Sequence, residues 1–339
     1  MRTIFVVDDS DTNLLMAESA LEDFYRVMTM PSAAKMFELL DKMPPDFILL
    51  DIEMPDMDGF QALKKLKSDN RYSEIPVMFL TGRTDAEVEV RGFEMGAVDF
   101  LTKPFSAPVL LNRVKTHLNI DNQIRARTAQ LHRMQNTIVS VLADMVENRE
   151  KGNRGHIEYT SRYIEIFIAE MKTNGIYIDE ISKWDIDRMI LSARMYDLGK
   201  ISVSDIIVNK PGKLTPEEYE VIKTHAAEGE RIIDEITTRT GEVEFLRNAR
   251  LFAGCHHERW DGKGYPRGLK GEEIPLQGRI MAIVDVYDAL VSDRPYRPAL
   301  SHEEAVHIIL KNSGTHYDPE LVRVFNTVQE QFKAVRMGL

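Results

Sequence analysis

The sequence predicts a multidomain protein, with an α/β domain in the first 120 residues and an all-α domain after it. Before residue 120, short β-branched apolar runs alternate with stretches of helical spacing, which is typical of a parallel sheet with crossover helices. After about residue 130, apolar residues recur almost wholly at helical spacing. A length of 339 residues supports two hydrophobic cores at roughly 150 residues per domain.

Composition and charge exclude several classes of protein. Hydrophobic residues make up 43% and charged residues 29%, so a disordered or fibrous chain is excluded. The net charge of -11 and the lack of a basic recognition helix argue against a DNA-binding output. A single cysteine excludes an internal disulfide. The N-terminal apolar run ends at Asp8, too early for a signal peptide or membrane span, so we expect a cytoplasmic protein.

Three short apolar runs, 4–7, 47–50 and 77–80, predict buried strands in the first domain. Ligands of such sheets bind just beyond the carboxyl ends of the strands. The polar residues expected at that edge are Asp8, Asp9, Asp51, Thr81 and Lys103.

The chemistry of this set favours a phosphoryl site with a bound cation. Three carboxylates repel one another unless a cation lies between them, and oxygen ligands suit Mg²⁺. The hydroxyl and the ammonium would bind an added phosphoryl group, because a carboxylate can accept one as an acyl phosphate. The alternative is that each aspartate merely caps a turn at a strand end.

The segments around these residues are Asp8-Asp9, Leu50-Asp51-Ile52-Glu53-Met54-Pro55, Leu80-Thr81 and Lys103-Pro104-Phe105. Together they closely resemble the receiver domain of bacterial response regulators. The resemblance covers residues 1–120 and implies a doubly wound fold on a five-stranded parallel sheet. It also implies a cognate histidine kinase as a partner.

The resemblance implies a role for each residue at this edge. Asp51 is the implied phosphoacceptor, and Phe100 stands near the fifth strand, where the family has an aromatic switch. Phosphorylation would add about -1.5 to -2 charges there. The residues implied to contact Mg²⁺ or the phosphoryl group are Asp8, Asp9, Glu53, Thr81 and Lys103.

A helical connector is predicted over residues 121–148, where apolar residues repeat every seven positions. One seam consists of Ile124, Leu131, Ile138 and Met145, and the second of Ile120, Arg127, Met134 and Val141, where Arg127 interrupts the apolar pattern. Two interpretations stay open: a parallel two-helix coiled coil in a homodimer, or one amphipathic helix packed on its own domain.

The second domain contains a set of candidate metal ligands. Imidazoles with carboxylates suit Fe, Mn or Zn, and a bridged metal pair can activate a hydroxide for displacement at phosphorus. Ligand chemistry therefore favours a metal-dependent phosphohydrolase. The candidates are His156, Asp197, His225, His256, His257 and Asp285.

The segments that carry these residues include Asp197-Leu198-Gly199-Lys200, Lys223-Thr224-His225, His256-His257-Glu258-Arg259-Trp260, Gly264-Tyr265-Pro266 and Asp285-Val286-Tyr287-Asp288. They strongly resemble the HD-GYP phosphodiesterase domain, an all-α HD-type domain. The resemblance covers residues 135–339. It implies hydrolysis of cyclic di-GMP at a centre of two or three metals, often iron.

The family pattern implies particular roles here. Asp197 would bridge a first metal, held with His156 and Asp285, and a second metal. The implied ligands of the second metal are Asp197, His225, His256 and His257. The implied phosphate-binding residues are Lys200, Arg294 and Arg297. The loop implied to contact diguanylate cyclase (GGDEF) partners consists of Gly264, Tyr265 and Pro266.

Two departures from the family weaken the first metal site. The defining His-Asp pair is Tyr196-Asp197 here, and Gly152 stands where members with three metals have a Glu. Tyr196 is either a substitute phenolate ligand or a packing residue beside a weakened site. A third metal is not expected.

Two functions follow from these observations. The first is a cyclic di-GMP phosphodiesterase controlled by phosphorylation at Asp51, with one or two transition metals, iron or manganese. The second is a catalytically silent relative that binds cyclic di-GMP or a diguanylate cyclase. The retained ligands favour the enzyme, and Tyr196 favours the silent relative.

Overall fold

A computed structural model describes residues 1–82, 86–150, 155–293 and 297–338. The chain forms two compact units, Met1–Leu131 and His132–Leu339. Among the residues that the structure describes, no helix has both the length and the apolar character needed to cross a membrane.

The first unit is a five-stranded parallel sheet with strand order β2-β1-β3-β4-β5, as predicted. Separate apolar clusters cover its two faces, so the central strands are buried on both sides. The strands are β1 Thr3–Val7, β2 Arg26–Met30, β3 Phe47–Asp51, β4 Val77–Thr81 and β5 Asp99–Thr102. The helices are α1 Asp11–Leu21, α2 Ala33–Leu40, α3 Gly59–Ser68, α4 Ala86–Glu94 and α5 Ala107–Glu147.

The second unit is helical, again as predicted, and its described residues contain only isolated bridge pairs instead of strands. Its main core is built around stacked aromatic rings, with Tyr163 and Phe332 4.3 Å apart between centroids. Its α-helices are α6 His156–Thr173, α7 Ile178–Ile181, α8 Ile186–Ala193, α9 Asp205–Val208, α10 Pro216–Thr240, α11 Glu244–Cys255, α12 Leu276–Leu290, α13 His302–Lys311 and α14 Pro319–Arg336. Two short 3₁₀ helices, Leu198–Ser202 and Gly271–Glu273, complete it.

Helix α5 has a packed face and an exposed apolar face. Val139 and Val146 are buried in a cluster with Phe245. The predicted heptad positions are exposed, namely Ile120, Ile124, Arg127, Leu131, Met134, Ile138, Val141 and Met145. One face of α5 therefore packs on its own unit, as one of the two interpretations predicted. The exposed face keeps the heptad pattern that the other interpretation, a coiled coil, requires.

Gly199 sets the approach of the 3₁₀ helix Leu198–Ser202 to helix α10. A Cβ atom at Gly199 would lie 1.9 Å from the carbonyl oxygen of His225 and 2.4 Å from the amide nitrogen of Gly229. Both neighbours are backbone atoms, so no side chain can move aside to make room. This close contact positions Asp197 beside His225.

We predict that Gly199→Ala destabilises the helical unit, because overpacking a close backbone contact costs roughly 1–3 kcal/mol or more. Thermal and denaturant unfolding of the full chain would measure the loss. Gly82→Ala is the control, because a Cβ there has no neighbour within 4 Å among the residues that the structure describes. Equal unfolding midpoints for Gly199→Ala and the wild type would contradict this account.

Candidate functional sites

The first site lies at the carboxyl edge of the sheet, as the sequence predicts. Asp8 and Asp51 are buried, and the Lys103 ammonium lies 2.6 Å from Oδ2 of Asp8 and 2.7 Å from Oδ1 of Asp51. Asp9 completes the group, because one oxygen from each aspartate lies within 4.8 Å of the others. Thr81 is buried at the end of β4. This oxygen-rich set fits a hard cation such as Mg²⁺.

Burial raises the pKa of Asp51, although the Lys103 ammonium acts against this shift and the nearby Asp8 adds to it. A buried carboxylate beside a second carboxylate is therefore stabilised as an anion mainly by cations. Glu53 is exposed two residues beyond the end of β3. The structure thus brings the predicted acidic residues, hydroxyl and ammonium to one edge.

Phe100 lies inside the first unit, beneath helix α4. Its ring centroid is 5.3 Å from that of Phe79 and 5.0 Å from that of Phe93. Gly92 provides the space, because a Cβ atom there would lie 2.3 Å from Cζ of Phe100. The inward ring therefore depends on a glycine in α4.

The second site contains three histidines that the fold brings together. His225 lies on α10, and His256 and His257 directly follow α11. A ring nitrogen from each histidine lies within 4.8 Å of the others. Asp197, just before the first 3₁₀ helix, places Oδ1 3.4 Å from Nε2 of His225 and 3.8 Å from Nε2 of His256. We call these four residues the three-histidine set.

Hydrogen bonds to the backbone fix the tautomers of two of these imidazoles. His225 donates its Nδ1–H to the carbonyl of Ile222 at 2.6 Å. His256 donates its Nδ1–H to the carbonyls of Phe252 and Ala253, both at 2.9 Å. In the neutral rings both Nε2 atoms consequently carry lone pairs, and these atoms lie only 3.1 Å apart. Two facing lone pairs require a cation or a proton between them.

The electrostatics of this set also fit a transition metal. Burial lowers the pKa of His225 to about 4 and lowers that of His257 as well, so both are neutral near pH 7. Burial alone would raise the pKa of Asp197, but Lys200 and the neighbouring imidazoles lower it and keep the carboxylate charged. Neutral imidazoles with a carboxylate are the ligands that Fe, Mn and Zn accept.

The predicted first-metal residues form a different arrangement. One ligand atom from each of His156, Asp197 and Asp285 lies within 4.8 Å of the others. However, Nε2 of His156 is hydrogen-bonded to the Tyr196 hydroxyl, and its Nδ1 is hydrogen-bonded to Asp288. The metal-facing nitrogen of His156 is therefore already in contact with a protein group.

Tyr196 remains a neutral phenol in this environment. Burial and the adjacent Asp197 and Asp285 carboxylates raise the pKa of Tyr196 well above its usual value. Its hydroxyl also lies 3.1 Å from Oδ1 of Asp285. Burial would lower the pKa of His156, but Asp285 and Asp288 raise it to about 10.

Lys200 is held between two carboxylates. Its ammonium lies 2.6 Å from Oε1 of Glu150 and 2.8 Å from Oδ2 of Asp197. Arg297 donates to the carbonyl of Ala289 near the end of α12 at 2.5 Å, so its described partners are backbone carbonyls. Arg294 and Gly152 lie outside the described residues.

A cleft of about 430 Å³ opens beside the three-histidine set. Two of the histidines form part of its wall, and the rest is made of cationic and aromatic side chains, six aliphatic side chains and Glu150. The lining includes Lys200, Lys210, Tyr219, His225, His257, Tyr265 and Arg297. Such a cleft can take an anionic ligand that also has flat aromatic groups.

The Gly264-Tyr265-Pro266 loop packs against the histidines. The ring centroids of Tyr265 and His257 are 4.7 Å apart. A Cβ atom at Gly264 would lie 2.4 Å from the backbone nitrogen of Arg259, so only glycine fits. Buried Glu258 accepts the backbone N–H of Arg267 at 2.8 Å and of Leu269 at 3.0 Å. The loop is therefore tied to the residue that follows the histidine pair.

We predict that Glu258→Gln loosens this loop, because hydrogen bonds to a charged group contribute roughly 1.5–3 kcal/mol and the amide offers a poorer acceptor. Hydrogen–deuterium exchange should become faster at the amides of Arg267 and Leu269. The exposed Glu272→Gln is the matched control. Unchanged protection in Glu258→Gln would refute the anchoring role.

Three residues have roles at the sites that were not predicted from the sequence. Asp288 supports His156, Glu150 pairs with Lys200, and Glu258 holds the loop. Asp288 had a usable signal, because it stands three residues after Asp285 on one helix and so faces the same side. Glu150 had none, since its partner is distant in the sequence.

Fold and sites together define a receiver domain joined to a helical domain with a candidate metal centre. A family model of the response regulator receiver domain matches residues 4–115, and a model of the HD domain matches residues 140–321. Both predicted resemblances are confirmed.

Relatives with both parts cover nearly the whole chain. A probable cyclic di-GMP phosphodiesterase of Vibrio cholerae is 38% identical over 97% of this chain and 78% of its own length. The cyclic di-GMP phosphodiesterase response regulator RpfG of Xanthomonas campestris is 30% identical over 94% of this chain and 85% of its own length. A 3'3'-cGAMP-specific phosphodiesterase 2 of Vibrio cholerae is 31% identical over 60% of this chain and 36% of its own length. The chain therefore belongs to the response regulators with an HD-GYP-type HD domain.

Proposed function

We propose that the chain is a metal-dependent phosphodiesterase that hydrolyses cyclic di-GMP and is controlled by phosphorylation at Asp51. The observation that carries the proposal is the three-histidine set beside a cationic, aromatic cleft. The names of relatives that cover almost the whole chain support the substrate.

Residues of this chain supply the binding site and its charge. His225, His256, His257 and Asp197 would hold a transition metal, which we expect to be iron or manganese. A metal bound there would provide a Lewis acid and a hydroxide nucleophile near neutral pH. Lys200 keeps Asp197 ionised by its 2.8 Å contact.

Cations around the cleft would receive the phosphates. We assign this role to Lys200 and Arg297, which line the cleft. The family pattern also implies Arg294, which lies outside the described residues. Lys200 would exchange part of its contact with Glu150 for a phosphate oxygen. Tyr219 is half exposed in the cleft and offers a face for a purine, since base–aromatic stacking contributes roughly 1–3 kcal/mol.

We predict metal-dependent hydrolysis of cyclic di-GMP by the full chain loaded anaerobically with ferrous iron. Chelation should abolish turnover, and re-addition of iron or manganese should restore it. His257→Ala should lose at least 10- to 100-fold in rate, because even loss of an outer-sphere partner of a ligand costs that much. Product formation is measured by chromatography.

His307→Ala is the matched control, because His307 is exposed on α13. Binding of cyclic di-GMP without hydrolysis by the metal-loaded wild type would contradict the enzyme and favour the silent relative. A parallel assay with 3'3'-cGAMP tests the substrate, because a relative named as specific for that dinucleotide is 31% identical over 60% of this chain. Faster turnover of 3'3'-cGAMP would overturn the assignment to cyclic di-GMP.

We further propose that a histidine kinase phosphorylates Asp51 with Mg²⁺ bound at the acidic edge, and that this occurs in the cytoplasm. The buried position of Asp51 beside Lys103 supports the role. Exposed Pro266 leaves part of its loop available to a diguanylate cyclase partner, while Tyr265 faces the cleft.

We predict that acetyl phosphate and Mg²⁺ label the wild type and leave Asp51→Asn unlabelled, because the amide is not a phosphoryl acceptor. Phosphate-affinity electrophoresis would show the slower migration of the phosphorylated protein. Rates of cyclic di-GMP hydrolysis before and after labelling would show whether phosphorylation regulates the enzyme. Asp23→Asn is the matched control at an exposed turn. Equal labelling of Asp51→Asn and the wild type would show that Asp51 is not the phosphoacceptor.

The exposed seam of α5 supports a homodimer. Seven apolar side chains of the heptad positions are each at least 48% exposed, which is a large exposed apolar stripe along one helix. A second copy offers the same stripe at the same spacing, so two helices would pair as a parallel coiled coil.

We predict that Leu131→Glu shifts the full chain toward monomer in sedimentation experiments, because a charge would be buried in the seam. Ala129→Glu is the matched control, since residue 129 lies two positions before the seam on the opposite side of the heptad. A wild type that is monomeric at high micromolar concentration, or equal dissociation by both variants, would rule out the seam.

A further inference from the structure

Tyr196 stands where the family has its defining histidine, and its hydroxyl lies between two predicted ligands of the first metal. The hydroxyl is hydrogen-bonded to Nε2 of His156 and lies 3.1 Å from Oδ1 of Asp285. Nε2 of His156 and Oδ1 of Asp285 are themselves only 3.3 Å apart. The phenol oxygen therefore touches both groups that would face a metal.

The contacts of His156 leave no ring nitrogen with a free lone pair for a metal. An imidazole has two ring nitrogens, and both are in use, Nδ1 with Asp288 and Nε2 with Tyr196. Nε2 of His156 either accepts the phenol hydrogen or carries a proton of its own, and in both cases it has no lone pair free for a metal. The first-metal set therefore does not fit a metal in the arrangement seen here.

The phenol of Tyr196 can form hydrogen bonds at this position whether His156 is neutral or protonated. Its oxygen can donate one hydrogen and accept another, so it donates to Nε2 or accepts from it while donating to Asp285. Its ring is buried and stands edge-on to His256, with centroids 5.1 Å apart. One side chain thus links His156 to Asp285 and packs on a member of the three-histidine set.

We infer that the Tyr196 phenol takes the place of the first metal as a hydrogen-bonded link between His156 and Asp285. The centre then holds a single metal, at the three-histidine set. Asp288 acts as a positioning residue, because it holds the imidazole of His156 from the other side. The inference rests on the proposed function, since it takes the three-histidine set as a metal site.

Metal stoichiometry tests the inference directly. The full-length wild type, Tyr196→Phe and Tyr196→His would be loaded anaerobically with ferrous iron, desalted and analysed for bound iron per chain. We expect one iron in the wild type and in Tyr196→Phe, which keeps the ring and removes the hydroxyl link. We expect two irons in Tyr196→His, because the new imidazole restores the family ligand.

Spectroscopy provides a second readout that does not depend on activity. After mild oxidation, a Tyr196 phenolate bound to iron(III) would give a visible charge-transfer band, and we expect no such band. Spin coupling between two irons should appear in electron paramagnetic resonance spectra of Tyr196→His and be missing from the wild type. Circular dichroism and thermal melting confirm that each variant is folded.

The outcomes separate this inference from the proposed function. Two irons in the wild type, or a charge-transfer band that Tyr196→Phe abolishes, would overturn the inference and leave the phosphodiesterase proposal intact. No bound iron in any of the three proteins would overturn both. One iron in the wild type and two in Tyr196→His would support both.

Discussion

The Nε2 atoms of His225 and His256 face each other at 3.1 Å in a buried site, and several contacts of the second unit hold them there. Each ring is fixed by an Nδ1–H donated to a backbone carbonyl. Gly199 lets the segment of Asp197 approach α10, and Glu258 ties down the loop beside the third histidine. Without a cation, this geometry would bury two facing lone pairs beside a carboxylate.

Buried carboxylates are balanced in three different ways in this chain. In the receiver domain, Lys103 contacts Asp8 and Asp51, and Asp9 completes an oxygen-rich set that fits a hard cation. In the helical unit, Asp197 is balanced by Lys200. Asp285 instead meets a neutral phenol and the ring of His156, which can itself carry the balancing proton. The nature of each partner determines whether a cation is needed, which is why the two candidate metal sets of the helical unit differ.

Much of the fold and part of the site could be predicted from the sequence. Strand-end aspartates reach one edge because parallel strands are aligned, and adjacent histidines after a helix mark a pair of candidate ligands. The contacts of Tyr196 could not be predicted, since they join residues 40 and 89 positions apart through their side chains. The same holds for Glu150, whose pairing with Lys200 depends on how the segment after α5 reaches the cleft.

The sequence could not distinguish a metal-ligand role from a packing role for Tyr196, because both roles require a buried ring. The position of one hydroxyl oxygen between His156 and Asp285 makes the difference. Similarly, the heptad pattern of α5 was compatible with burial or exposure, and only the fold shows that one face packs while the seam stays exposed.

X-ray absorption spectroscopy at the iron edge tests the central claim, that the three-histidine set is a metal centre. The full-length protein would be loaded with ferrous iron and its extended fine structure recorded alongside that of His225→Ala. The account predicts the multiple-scattering pattern of three imidazoles in the wild type and a loss of imidazole scattering or of iron in the variant. Iron bound without imidazole scattering in the wild type would contradict it.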